Sequence, residues 1–341
     1  MASITNVMIA GIGGASLGTE LFKCLTHAGS YTIFGCDISP TAYGLYQQGF
    51  AKTYLISSES YVENVIDACK DSGATFLVPG GEQPSQLLGL ASDKLASVGV
   101  HLVSNTPEVI RIATDKERTF EFLEQAGFPT PHTTVVKKRA DLDLVGLPCI
   151  IKPSNASGGS MGVFYAVSVE EAMVYVEFLR RIECAALAQE YLDVAEGEFT
   201  IGVLSMPNME IASSVALRRS LAPKLSVSYR ARGGVISSGY SQGYIDEFPE
   251  LRSQAESIAR TLGSRGPLNI QGRVREGRLF PFEINPRFSA STYLRALAGF
   301  NEVDTLITFL QTGRMPEPPR IRPGWYLRSL AEQFVSPEEV K

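Results

Sequence analysis

The segment that decides the fold is residues 279–291, LFPFEINPRFSAS, which follows the run LNIQGRV at 268–274 and the turn REGR at 275–278. Two apolar runs joined by a short turn that contains glycine predict an antiparallel β-hairpin. In such a hairpin Gln271 and Glu283 lie opposite each other, with both side chains on one side of the sheet if the register allows it. The segment therefore predicts a paired amide and carboxylate on a strand surface.

Four polar residues of this hairpin predict a metal and phosphate site. Mg²⁺ prefers hard oxygen ligands and shares them with bound phosphates, and Gln271, Glu283 and Asn285 offer such oxygens. Arg287 could stabilise the charge of a transferred phosphoryl group. Glu283 has apolar neighbours along the chain, where an unpaired carboxylate is costly to bury. A ligand role for Glu283 therefore explains the pattern better than a structural one.

A second candidate site begins at Lys152, which ends the apolar run PCII. The small-residue stretch SNASGGSMG follows it, and a mobile glycine loop can close its N–H groups over phosphate oxygens beside a lysine. The spacing is not that of a Walker P-loop. Taken alone, the lysine could be a surface residue and the loop an ordinary turn. Together they predict a triphosphate clamp formed by Lys152, Gly158, Gly159, Ser160 and Gly162.

The string QEYL at 189–192, followed by Glu198, is a candidate nucleoside site. Main-chain groups of a hinge could hold adenine, and a carboxylate could accept the ribose hydroxyls. The alternative is that Glu190 and Glu198 are solvated charges at strand ends. The residues alone leave both interpretations open.

The first third of the chain alternates short apolar runs with amphipathic helical segments, which predicts βαβ units and a parallel sheet over residues 1–113. The loop GIGGASLG at 11–18 resembles a dinucleotide-binding turn, with Asp37 ending the next strand. The third glycine of that motif falls on Ser16, however, so a tight βα turn is the preferred interpretation. A substrate site at this loop is a further option, since helix N-termini attract anions.

Two further units are predicted beyond residue 113. A helix ends at Gly127 before Pro129 and Pro131, which marks a boundary. The order of strands and helices then predicts a compact unit over residues 114–190 and a C-terminal lobe over 191–341 that contains the hairpin. The predicted fold class is α/β and α+β, with a Rossmann-like domain followed by a two-lobed fold.

The composition excludes several classes of protein. With 44% apolar and 20% charged residues the chain is globular, and a net charge of −5 argues against a nucleic-acid partner. The five cysteines form no C-x-x-C pair, which argues against a zinc site or a disulfide framework. No apolar stretch reaches the ~18 residues of a membrane span, and the first residues do not resemble a signal peptide. We therefore expect a cytoplasmic protein without a membrane partner.

In combination, the strings TDKERTFEFLEQAGFPTP, LPCIIKPSNASGGSMG, NIQG and FPFEINPRFSAS resemble the ATP-grasp superfamily. The similarity is greatest to one ATP-grasp half of the carbamoyl-phosphate synthetase large subunit, and it runs from about residue 5 to residue 313. It implies a Rossmann-like pre-ATP domain followed by a two-lobed ATP-grasp fold. It also implies ATP and Mg²⁺ as cofactors, with Mn²⁺ as an alternative metal, and a homodimer as one option for assembly.

The resemblance assigns roles position by position. Lys116 and Lys152 would bind phosphate, and Gly158 to Gly162 would form the lid. Glu190 and Leu192 would contact adenine and Glu198 the ribose, while Gln271, Glu283 and Asn285 would hold one or two Mg²⁺ ions. Arg287, with Lys152, would stabilise the transferred phosphoryl group.

The implied reaction joins a small-molecule carboxylate to an amine through an acyl phosphate. The candidate substrate residues are Glu82, Arg218 and Arg219, each of which could equally be a solvated loop or strand residue. Carbamoyl phosphate would need a second half and an ammonia source, so a synthetase-like subunit with partners is an alternative. A non-catalytic ATP-binding module and a nicotinamide-dependent oxidoreductase are two further alternatives.

Overall fold

A parallel sheet forms the first part of the molecule. The computed structural model describes residues 5–15, 17–154 and 162–341. The sheet has the order β3-β2-β1-β4-β5, with every neighbouring pair parallel, as predicted from the alternating pattern. The elements are β1 (Thr5–Ala10), α1 (Leu17–Ala28), β2 (Tyr31–Asp37), β3 (Lys52–Leu55), α2 (Tyr61–Ser72), β4 (Phe76–Pro79), α3 (Glu82–Leu90), α4 (Ser92–Ser97), β5 (His101–Leu102) and α5 (Pro107–Ala113).

Central strand β1 shows why this sheet is covered on both faces. Val7, Met8, Ile9 and Ala10 are fully buried, as expected for a strand with helices on either side. Val7 and Ile9 face one apolar cluster, and Met8 and Ala10 face another. The carboxyl ends of β1 and β4 therefore lie at one edge of a fully covered sheet, where α3 begins.

A smaller antiparallel sheet follows, with the order β6-β9-β7-β8. Its core contains only residues from Val136 to Ala188 among those described. Helix α6 precedes it, and Asp115 caps that helix by accepting hydrogen bonds from the N–H groups of Glu117 (3.0 Å) and Arg118 (3.2 Å). The elements are α6 (Lys116–Gln125), β6 (Thr133–Val135), β7 (Cys149–Pro153), β8 (Phe164–Ala166), α7 (Val169–Arg181) and β9 (Ala186–Glu190).

The largest sheet has six antiparallel strands in the order β16-β15-β10-β11-β14-β17, with a separate hairpin of β12 and β13. The elements are β10 (Glu198–Ser205), β11 (Ile211–Arg219), β12 (Val227–Ala231), β13 (Gly234–Ser237), β14 (Gly243–Asp246), α8 (Pro249–Thr261), β15 (Pro267–Arg275), β16 (Arg278–Asn285), α9 (Thr292–Leu297), α10 (Glu302–Thr312) and β17 (Gly324–Tyr326).

One face of the six-stranded sheet is apolar, whereas the other combines polar residues with apolar ones such as Val215 and Leu217. One face packs Phe199, Ile201 and Ile270 against α8. Because side chains alternate along a strand, the other face presents the intervening polar residues of the three central strands. These are Glu198, Thr200, Arg219, Asn269, Gln271 and Arg273, all buried except Gln271, which is half-buried.

The apolar cores join the first and last parts of the chain. One buried cluster contains Val7 and Leu21 together with Phe288 and Ile307. Another contains Val109 together with Ile201, Ile258 and Ile270. The parallel sheet and the six-stranded sheet therefore share their interior, whereas the four-stranded sheet has a core of its own.

Candidate active site

A cleft of about 840 Å³, counting the part open to solvent, lies between the four-stranded and six-stranded sheets. Residues from both sheets line it, and the structure brings together seven of the positions singled out in the sequence. They are Lys116, Lys152, Glu190, Leu192, Glu198, Gln271 and Glu283.

Lys152 projects from β7 into this cleft and is buried. Its Nζ donates hydrogen bonds to Gln189 Oε1 (2.9 Å) and to the carbonyl oxygen of Phe282 (3.1 Å), and it lies 4.8 Å from the Phe120 ring centroid. Burial and, to a smaller extent, the nearby Lys116 lower the pKa of Lys152 to about 7, while Glu283 opposes the shift. When protonated, this amine lacks a full counter-charge, which suits the binding of a phosphate.

The predicted hairpin of β15 and β16 is confirmed. Gln271 pairs directly with Glu283, and Gln271 Nε2 donates to Glu283 Oε2 at 3.1 Å. Both turn residues, Glu276 and Gly277, have positive φ, which suits a two-residue hairpin turn. The register shifts after Gln271, where Gly272 next pairs with Pro281. The amide and carboxylate therefore face the cleft together, beside Lys152.

Asn285 and Arg287 add two further polar side chains after Glu283. Arg287 donates from Nη2 to Asn285 Oδ1 (3.2 Å) and from Nη1 to the Phe288 carbonyl (3.0 Å), and Nη2 lies 3.7 Å from Glu82 Oε2. The Nδ2 of Asn285 and the Nε of Arg287 are buried without a hydrogen-bond acceptor among the described residues. Glu82, at the start of α3, is thus brought to the hairpin. Each of these buried donors lacks an acceptor, and the described residues do not supply one.

Glu198 opens β10 and is buried between two arginines. Its Oε2 accepts a hydrogen bond from Arg273 Nε (3.0 Å), and its Oε1 lies 3.3 Å from Arg219 Nη1 without a directional hydrogen bond. Burial lowers the pKa of Arg219, and the Glu198 carboxylate opposes that shift. Oε1 has no hydrogen-bond donor among the described residues, and the ribose role of Glu198 stays a prediction.

Arg273 is a site residue that the sequence reasoning missed. Its guanidinium lies 4.9 Å from the Tyr191 ring centroid and also donates to the carbonyl oxygens of Leu192 and Val235. It therefore fixes the segment that connects the two lobes. The sequence could have indicated this residue, because side chains alternate along a strand. Arg273 follows Gln271 by two residues and therefore lies on the same face.

The remaining candidates lie in different surroundings. The Glu190 carboxylate pairs with Arg275 and accepts the His132 N–H at 3.2 Å, so its side chain is already engaged. Arg218 is exposed on the opposite face of β11 from Arg219, beside Tyr244 and Trp325, and does not line the cleft. Gly162 packs against Pro153. Gly158, Gly159 and Ser160 lie outside the described residues.

The first βα turn is closed by protein groups. Asp37 accepts hydrogen bonds from the N–H groups of Ile12 (2.7 Å) and Ser39 (3.0 Å), so its carboxylate holds the turn. The Tyr43 side chain covers Gly14, where a Cβ would lie only 2.4 Å from that of Tyr43. These contacts favour the tight structural turn over a nicotinamide site.

The donor set fits Mg²⁺ bound together with a phosphate ligand. Within the described ranges no group of three or more histidine, cysteine, aspartate or glutamate side chains could hold a metal ion. Glu283 offers one carboxylate, while Gln271 Oε1 and Asn285 Oδ1 accept hydrogen bonds from Arg219 (3.4 Å) and Arg287 (3.2 Å), so the two amides as metal ligands stay a prediction. Hard ions that keep phosphate and water ligands suit such a partial set. Over the same ranges, no helix has the length and apolar character needed to cross a bilayer.

The chain belongs to the ATP-grasp family, because the family model for the ATP-grasp domain matches residues 113–291. Its curated relatives include the carbamoyl phosphate synthase large chain of Beutenbergia cavernae, 29% identical over 237 residues, which cover 62% of this chain and 19% of that one. The same protein of Thermoplasma acidophilum is 28% identical over 217 residues, or 60% and 20% of the two chains. The chain thus spans about a fifth of these relatives, and the predicted resemblance is confirmed.

Solved structures confirm the predicted fold class. Biotin carboxylase from Campylobacter jejuni superposes with a TM-score of 0.69 at 14% identity, covering 92% of this chain and 73% of that one. An L-amino acid ligase from Bacillus licheniformis gives a TM-score of 0.65 at 15% identity, with 90% and 74% coverage. At such identities the likeness is one of fold.

Proposed function

We propose that this chain is an ATP- and Mg²⁺-dependent carboxylate–amine ligase that forms an amide or peptide bond on a small acid and releases ADP and phosphate. The main supporting observation is that Lys152, Gln271 and Glu283 line one cleft. Arg287 is bonded to Asn285 at the end of the same hairpin. A phosphate-binding cation, a metal carboxylate and a charge-stabilising arginine together suit phosphoryl transfer. The names of the curated relatives and of the L-amino acid ligase agree with this chemistry.

The proposed reaction has two steps. An oxygen of the substrate carboxylate attacks the γ-phosphorus of ATP, the bond to the β–γ bridging oxygen breaks, and ADP leaves. The amine nitrogen then attacks the carbonyl carbon of the acyl phosphate, inorganic phosphate leaves, and the nitrogen loses a proton. Bound Mg²⁺ would neutralise phosphate charge during the first step; Mn²⁺ is an alternative metal.

The described residues support separate tasks in these steps. Lys152 and Lys116 would bind phosphate, and Glu198 would orient the ribose with its Oε1. Glu190 and Leu192 would border adenine, and Glu283, Gln271 and Asn285 would supply metal ligands. Arg287 would stabilise the phosphoryl group beside the acid, and Glu82 would border that acid. The loop containing Gly158, Gly159 and Ser160, with Gly162 at its end, would close over the phosphates.

The test is phosphate release from Mg-ATP with a panel of carboxylic acids, each with and without amines. Hydroxylamine is added in parallel because it traps any acyl phosphate as a hydroxamate. We expect release to require an acid and to disappear in Lys152→Ala and Glu283→Ala. Turnover with bicarbonate and ammonia would instead support a synthetase-like subunit. ATP binding without release for any acid would support a non-catalytic module.

A proton uptake should accompany nucleotide binding. Because the pKa of Lys152 is lowered to about 7 in the free protein, the amine is largely neutral at pH 8. A bound triphosphate favours the charged form and raises that pKa. We expect an uptake approaching one proton per site at pH 8, measured by titration calorimetry in buffers of different ionisation enthalpy. Lys152→Met should abolish the uptake, whereas Lys70→Met, at an exposed position, should leave it unchanged; equal uptake in both variants would contradict the assignment.

The division into units at residues 1–113, 114–190 and 191–341 is part of the proposal, with the substrate acid placed between the first and third units. The homodimer and the cytoplasmic location stay predictions. Sedimentation of the purified chain would test the first of these.

A further inference from the structure

A second cavity adjoins the nucleotide cleft and shares Gln271 and Glu283 with it. It measures about 470 Å³, counting the part open to solvent, and reaches Arg287. In the part of the chain that is described, Ala290 contributes its only apolar side chain, and the others are hydroxyls, amides and charged groups. We call this cavity the polar pocket; its distinguishing members are Thr200, Ser238, Ser241, Asn269 and Ser289.

We infer that the polar pocket selects a small carboxylic acid whose side chain carries a hydroxyl or amide group, and that it rejects acids whose side chain is apolar and of equal size. The inference rests on the proposed function, since it concerns the acid of that reaction. It adds the chemical class of the acid, which carboxylate activation by itself leaves open.

The first argument is the energy of desolvation. An apolar ligand would leave unpaired those pocket donors and acceptors that face the cavity and have no protein partner, which costs about 1–3 kcal/mol for each such group. A ligand with matching polar groups avoids that cost. Sites built to hydrogen-bond a substrate reject analogues that lack the group far more strongly than apolar pockets reject an added one.

The second argument is that hydrogen bonds to neighbouring protein groups hold the side chains of the pocket in place. Asn269 Oδ1 accepts hydrogen bonds from Thr200 Oγ1 (2.9 Å) and Arg295 Nη1 (3.4 Å). The Ser289 hydroxyl bonds to that of Ser291 (2.7 Å), which accepts a further hydrogen bond from Arg295 Nη1 (2.8 Å). Polar side chains held in this way cannot rotate away from an apolar ligand. The pocket therefore keeps its preference for a ligand that forms hydrogen bonds.

The third argument is the supply of positive charge. Arg287 lines the pocket, and its Nε is buried without a partner among the described residues. Arg219, whose Nε is also unpartnered there, donates to the Ser238 carbonyl (2.7 Å) from the adjoining wall. A carboxylate beside Arg287 would meet this charge, while the body of the acid would face the serines and Asn269.

The experiment uses hydroxamate formation with Mg-ATP and hydroxylamine, so the natural amine need not be known. The acids are paired so that one hydroxyl replaces one methyl: serine with 2-aminobutyrate, threonine with valine, and malate with 2-methylsuccinate. We expect kcat/KM for the hydroxyl member of an active pair to exceed that of its partner by at least about tenfold. Equal or better use of the methyl members overturns the inference and leaves the ligase proposal standing. No hydroxamate from any acid overturns the ligase proposal itself, and the inference with it.

A variant ties the preference to the pocket. Thr200→Val keeps the side-chain shape and removes a hydroxyl, and it should reduce the preference within the active pair at least threefold while leaving the KM for ATP unchanged. Thr261→Val, on the exposed side of α8, is the matched control and should leave both values unchanged. If Thr200→Val folds with an unaltered melting temperature and an unaltered preference, the pocket does not select the acid.

Discussion

Replacing Glu283 with glutamine should reduce phosphate release by about 10³-fold, which corresponds to ~4 kcal/mol of lost transition-state stabilisation. The substitution keeps the size of the side chain and a hydrogen-bonding partner for Gln271, but it removes the carboxylate that faces Lys152 across the cleft. The variant should bind Mg²⁺ more weakly, and the bound phosphates should then be less well neutralised. Initial rates measured over a range of Mg²⁺ concentrations would separate these two effects.

The control for this variant lies on the same hairpin. Glu276→Gln changes the same charge in the exposed turn and should leave the rate within about twofold, because surface charges so placed contribute little. A Glu283→Gln enzyme with a near-normal rate at every Mg²⁺ concentration would remove Glu283 from the metal site.

The largest expected loss of stability follows from Arg295→Leu. Arg295 and Glu302 are both 1% exposed, and Arg295 Nε donates to Glu302 Oε2 at 2.9 Å. Gly202 makes room for this pair, since a Cβ there would lie 2.5 Å from the guanidinium. Without the arginine a buried carboxylate loses its counter-charge, which costs about 3–5 kcal/mol in free energy of unfolding. Urea denaturation at pH 7 measures the loss.

Two comparisons test the physical reason for that loss. Burial raises the pKa of Glu302, and removing Arg295 raises it further, so the folded variant binds a proton more readily than the unfolded chain. Its deficit should therefore shrink as the pH falls toward 5. The double variant Arg295→Leu/Glu302→Leu should recover most of the stability at pH 7, because a buried pair can be replaced by apolar groups. A double variant as unstable as the single one would contradict this explanation.

The hairpin with Gln271 and Glu283 was predictable because its information is local. Alternating apolar residues set the strand period, a glycine turn set the register, and polar side chains in apolar strands marked the site. The hairpin of β12 and β13 was missed because a Gly/Ser-rich stretch resembles a loop; Arg232 and Gly233, both with positive φ, form its turn. The two adjacent candidates Arg218 and Arg219 could not both face the cleft, since neighbours on a strand point to opposite sides.

Long-range contacts were beyond the sequence pattern. Arg295 lies in the helical string TYLRAL, where an arginine ordinarily faces solvent, and its burial depends on Gly202 and Asn269 from two distant strands. The pairing of Glu82 with Arg287 likewise joins the start of α3 to the loop that follows β16. Such contacts depend on how the sheets pack, which no local period specifies.

Because the four-stranded sheet has a core of its own, we expect it to move as a unit, whereas the six-stranded sheet shares its core with the rest of the chain and forms the stiff side of the cleft. Rotating that sheet would break the hydrogen bonds from Lys152 to Phe282 and from Tyr165 to Arg232, but it would disturb neither of the apolar clusters that unite the rest of the chain. We therefore expect the cleft to open and close by a movement of the four-stranded sheet against the six-stranded sheet. The polar pocket lies wholly on the stiff side, so its shape should be the same in both positions, and an acid could be recognised before ATP is enclosed.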